Sequence, residues 1–172
     1  MPTLNLTEYE EQSFDAIPSG RYYAEVFDIE DRETRNDGAT PAGTPMIWVH
    51  FKITGKVGET QQDDEEYEFY NRRVFVNLVV PPEDHDPKKA KAMNGRIVSL
   101  FKALGVEESE ITSGEFEPDL EDYLEAPLVV QVARRERKGP DGKGTGEFEN
   151  PVQGFKNIAD VDTTVTGGTG LI

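Results

Sequence analysis

The stretch MIWVHFKI, residues 46–53, decides how the chain is read. Side chains in a strand alternate between two faces. Ile47, Val49, Phe51 and Ile53 fall on one face, and all four are apolar. Met46, Trp48, His50 and Lys52 fall on the other, where the only tryptophan of the chain shares a side with a histidine and a lysine. Residues 73–80 repeat the pattern. Val74, Val76, Leu78 and Val80 form an aliphatic side, and Arg73, Phe75, Asn77 and Val79 form a mixed one. Two such strands predict a sheet with one face in a core and the other holding rings beside cations.

Working outward, GRYYAEVFDIE from Gly20 is rich in aromatic and β-branched residues and predicts a first strand. Its register is open, so Tyr22 or Tyr23 belongs to the core or to the mixed face. The Gly-, Pro- and Asp-rich segment 31–45 predicts a loop, and the acidic segment 55–71 a long connection to the third strand. Pro81 and Pro82 stop that strand. The period then changes. Asp86 as N-cap, Pro87 at the first helical position, and Ala90, Met93, Ile97, Leu100, Phe101 and Leu104 at spacings of three and four predict a helix ended by Gly105. APLVVQVARRE and EFENPVQGFKNI read as strands four and five, joined by the glycine-rich RKGPDGKGTG. The expected fold is mainly β, a five-stranded OB-fold barrel of order β-β-β-α-β-β, with the amphipathic helix between strands three and four. The domain spans 19–158, between an arm at 1–18 and a small, polar tail at 159–172.

Composition narrows the chemistry. In 172 residues there is no cysteine and there are two histidines, which removes thiol nucleophiles and argues against a histidine metal cluster. No apolar run approaches a membrane span of roughly 18 residues, and the acidic start lacks the features of a signal peptide. A cytoplasmic protein, without a membrane partner, is expected. GPDGKGTGE lacks the spacing of a phosphate-binding P-loop, EDHD (83–86) and DVD (160–162) lack that of a calcium loop, and no nucleophile, base and orienting group line up. The chain therefore reads as a non-enzyme without cofactor or metal.

Net charge is −16, from 18 basic and 34 acidic side chains, which taken whole argues against a phosphate partner. The charge is unevenly distributed. Residues 106–125 hold 9 acids and no base, whereas residues 71–105 hold 7 bases and 3 acids. Such segregation permits a local anion site. In an OB-fold the binding surface is the face of strands two and three, flanked by the loops joining strands one–two and four–five. There the chain offers Trp48, His50, Lys52, Arg73, Phe75 and Asn77, with Arg32 and Arg35 in the first loop and Arg135, Arg137, Lys138 and Lys143 in the second. Rings stack on any base and cations meet phosphates, so this set points to single-stranded nucleic acid. A plainer reading stands beside it. Trp48 is covered by the arm, by Tyr67, Phe69 and Tyr70 of the acidic connection, or by another subunit, and the loop arginines are solvated charges.

IPSGRYYAEV, MIWVHFKI, NRRVFVNLVV, AKAMNGRIVSLFKALG, LEAPLVVQVARRERKG and ENPVQGF, in that succession over residues 17–158, resemble phage-encoded single-stranded DNA-binding proteins with an OB-fold. The resemblance implies coating of single strands in phage replication or recombination within an infected bacterial host, without catalysis. It leaves a homo-oligomer open. Many single-strand binders end in a densely acidic tail with a hydrophobic tip that recruits replication or recombination proteins. Here only Asp160 and Asp162 precede TTVTGGTGLI, so the tip Leu171–Ile172 stands without its acid. The competing function is an acidic structural or protein-binding barrel, a virion component or an inhibitor of a host protein.

Overall fold

A computed structural model describes residues 3–7, 16–38 and 40–161. The predicted tail tip, Leu171–Ile172, and most of the predicted arm lie outside these residues. The protein is mainly β. Strands β1 (Gly20–Glu33), β2 (Pro45–Lys56), β3 (Arg73–Val79), β4 (Pro127–Val132) and β7 (Val152–Lys156) form one antiparallel sheet of order β3-β2-β1-β4-β7. In a flat five-stranded sheet the outer strands would stand about 19 Å apart. Here β3 and β7 contact each other, and both contact the helix α1 (Pro87–Ala103), so the sheet is curled around a core.

The core face is the one its alternation predicts. Ile47, Val49, Phe51 and Ile53 of β2 and Val74, Val76 and Leu78 of β3 are buried together. Val80 departs from the pattern. It lies just past β3 and is 38% exposed, because Pro81 and Pro82 follow and the sheet ends there. Tyr22 joins the core, and Tyr23 is also buried. Ile17 adds to the same core and is fastened by the Asn150 amide, which accepts from the Ile17 amide nitrogen and donates to its carbonyl, both at 2.8 Å.

α1 closes the concave side with Leu100, Phe101 and Ala103. The Asp86 carboxylate accepts from the Lys88 amide nitrogen at the N-terminus. At the other end Gly105 adopts φ +95°, and the amides of Gly105 and Val106 turn back to the carbonyls of Lys102 and Phe101. A one-turn helix α2 (Glu108–Ile111) follows.

The predicted fourth and fifth strands are too long. Each breaks, and the turn predicted at 137–146 is shorter than expected: β5 (Arg135–Lys138) and β6 (Gly144–Glu149) form a separate two-stranded ribbon, which puts Arg135, Arg137 and Lys138 on a strand and not in a loop. Every residue of β5 is exposed, so the ribbon has no apolar face with which to join the main sheet. Pro151 marks the second break, where its carbonyl accepts from Ala133. Among the described residues no helix is long and apolar enough to cross a membrane.

Candidate nucleic-acid interface

The convex side of β1, β2 and β3 carries the mixed faces. The ladder sets His50 beside Phe75, Trp48 beside Asn77, and Lys52 beside Arg73. All six strand residues of the predicted site therefore share one surface. His50 lies at its centre, with ring centroids 5.3 Å from Trp48, 6.5 Å from Phe75 and 5.5 Å from Phe27, all edge-on. Phe27 and Phe75 are 50% and 57% exposed, which is a large apolar exposure for two adjacent rings.

Phe27 is the residue that sequence reasoning missed. Its signal was a slip of phase. Tyr22, Ala24 and Val26 alternate into the core, but the next core residue is Ile29, three positions on instead of two. The ladder shows a bulge between Val26 and Asp28. A bulge inserts one extra residue and re-aims side chains; alternation already points Phe27 outward, against His50, and the bulge leaves Asp28 outward after it.

Two arginines lie flat on this surface. The Arg73 guanidinium carbon is 3.6 Å from the Phe27 ring centroid and that of Arg32 is 3.9 Å from Trp48. Such stacking attracts the cation to the ring quadrupole and leaves guanidinium edges facing solvent. Arg32 was expected in the loop. It lies instead on β1, because the hairpin of β1 and β2 runs on to Glu33 and Pro45, and it pairs with the Glu30 carboxylate. Arg73 donates to the Asn71 side-chain oxygen at 2.9 Å. The Lys52 ammonium sits 3.1 Å from the Glu25 carboxylate and 5.0 Å from the Tyr70 ring, and its pKa is raised by the hydrogen bond to Glu25 and then by that to Tyr70. Burial lowers the His50 pKa below the ordinary imidazole value, Arg73 pushes the same way, and Asp28 opposes both.

Among the described residues, none of the remaining predicted cations stacks on these rings. Arg35 is exposed in the turn that Thr34 and Thr44 close. Arg135 and Arg137 both hold Glu149, at 2.8 and 3.4 Å, and they lower its pKa. Lys138 and Lys143 are exposed toward the ribbon tip, and Arg134 lies 4.1 Å from the Phe148 ring.

Tyr67 and Phe69 do not cover Trp48. They pack against the hydrophobic core, and their segment is fastened to the far end of β2. The Asp64 amide nitrogen donates to the Thr54 carbonyl, and the Thr54 hydroxyl donates to the Gln62 carbonyl. No family model matches the chain, and no curated protein matches it in sequence.

Proposed function

We propose that the chain binds single-stranded DNA with little sequence preference through the convex face of β1–β3, as a phage-type single-strand binder acting in replication or recombination. The observation that carries this reading is the outward-facing set of four rings, Phe27, Trp48, His50 and Phe75, with guanidinium groups stacked on two of them. Phe75 offers exposed ring surface, the guanidinium planes on Trp48 and Phe27 extend the flat surface on which unpaired bases stack, and the guanidinium edges offer donors to the strand's phosphates. A duplex keeps its bases stacked on one another and cannot use such a surface. The strand order β3-β2-β1-β4-β7, with a helix inserted after the third strand and its two edges in contact, supports an OB-type barrel.

The test is a titration of Trp48 fluorescence with single- and double-stranded oligonucleotides at two salt concentrations. Quenching by the single strand alone is expected. No binding of either form removes the reading and leaves Phe27 and Phe75 as a protein-docking surface, the role of the acidic barrel.

A further inference from the structure

The bulge at Phe27 places Asp28 on the same surface, directly opposite His50 in the ladder. Asp28 is part-exposed. The acids on either side are engaged, Glu25 by Lys52 and Glu30 by Arg32. Asp28 has no ion pair and accepts no hydrogen bond among the described residues. Its one electrostatic partner among the described residues is the His50 imidazole opposite, whose pKa it raises; an acid that no lysine or arginine holds, in the middle of a stacking surface, works against phosphate, so its use in binding lies elsewhere.

An ionised carboxylate only accepts hydrogen bonds. A base stacked beside it is favoured when the base edge donates and disfavoured when the edge presents an oxygen. Cytosine carries an amino donor at its fourth position, where thymine carries a carbonyl acceptor. We propose that Asp28 reads the edge of a stacked base and makes this face prefer bases with an exocyclic amino group, cytosine over thymine. The inference rests on the single-strand reading above. It converts an indifferent stacking surface into one with a base-type bias, imposed by one residue.

Oligonucleotides of fifteen deoxycytidines and fifteen thymidines, at pH 8 where cytosine is unprotonated, isolate the edge because the two rings are alike in size. The cytosine strand should bind about fivefold more tightly or better, the range of one good base-edge contact. Asp28→Asn keeps the shape and adds a donor that can meet the thymine oxygen. It should bring the ratio near one, while the loss of a negative charge tightens both strands. Tight and equal binding of the two strands by the unaltered protein overturns the proposal and leaves the single-strand reading intact. So does a ratio unchanged in Asp28→Asn. Failure to bind either strand overturns both. Circular dichroism of the variant confirms that the fold survives.

Discussion

On the proposed reading Phe75→Ala separates a binding residue from a folding residue, because Phe75 occupies the outer face of a strand whose inner face is core. A phenylalanine offers about 200 Å². With 57% exposed in the folded chain, about 90 Å² is buried, or about 2 kcal/mol at roughly 25 cal/mol/Å². Denatured chains already bury part of this area and alanine keeps some of it, so the expected loss of stability is about 1 kcal/mol. Phe51, on β2 and fully buried, is the internal standard; its replacement by alanine should cost about 3–5 kcal/mol. Binding should rank the two residues the other way. Losing one stacking ring costs about 1–3 kcal/mol, or about 5- to 150-fold in affinity. Urea denaturation gives the first quantity, and fluorescence anisotropy with a labelled single strand gives the second. Phe75→Ala that unfolds as easily as Phe51→Ala, or binds as tightly as the unaltered chain, refutes the assignment of the two faces.

His50 titrates below its ordinary value in the folded chain, so the unfolded state binds more protons as pH falls. The stability it contributes is present above its unfolded pKa of about 6.5 and is lost as pH drops through the lowered folded value. His50→Gln should flatten that part of the stability profile in denaturant melts at stepped pH. Bound phosphate should raise the His50 pKa, readable as a shift of the imidazole proton titration by NMR. Gly55→Ala should cost about 1–3 kcal/mol, because a Cβ there would lie 2.0 Å from the Gln61 carbonyl oxygen, which is backbone and cannot swing aside. A thermal melt equal to that of the unaltered chain would mean that the acidic segment is not held against β2.

What the sequence made legible was whatever periodicity enforces. The alternation of 46–53 and 73–79 sets the core face and the site face together, since an error of one residue would have exchanged them. The helix was legible because spacing, cap and terminal glycine agreed. The ribbon was not, since RERK and GTGEFE have no apolar alternation and their pairing satisfies the backbone without burying a face. Arg32 was placed in the loop for a similar reason. EDRE at the end of β1 has no hydrophobic signature, and only pairing with Pro45 and Met46 makes it strand. Tyr67 and Phe69 lie in an acidic run, and their burial depends on tertiary ties to Thr54. Phe27 and Asp28 sat in plain view as a slipped phase, a signal legible only to a count of core spacings along the whole strand.

The charge of the face is balanced, and this bears on how a chain of net charge −16 would meet the polyanion proposed for it. Arg32, Lys52 and Arg73 supply three positive groups, and Glu25, Asp28 and Glu30, on the same surface, supply three negative ones. Acids beyond about 8 Å are screened at physiological salt, so the local set governs. Local cancellation removes most long-range attraction and leaves stacking as the main source of affinity. Each phosphate contact on a single strand contributes about 0.7 to the logarithmic salt slope, so three cations set a ceiling of about 2. Anisotropy titrations from low to high salt should give a slope no steeper than that. Arg32→Ala and Arg73→Ala should each reduce it, whereas Arg35, Arg137 and Lys138, which are not stacked on these rings, should leave it unchanged when replaced. A slope near 4 that falls on replacing Arg137 and Lys138 would move the phosphate path to the ribbon. The strand would then lie across the β5–β6 tip instead of along the arginine-stacked rings.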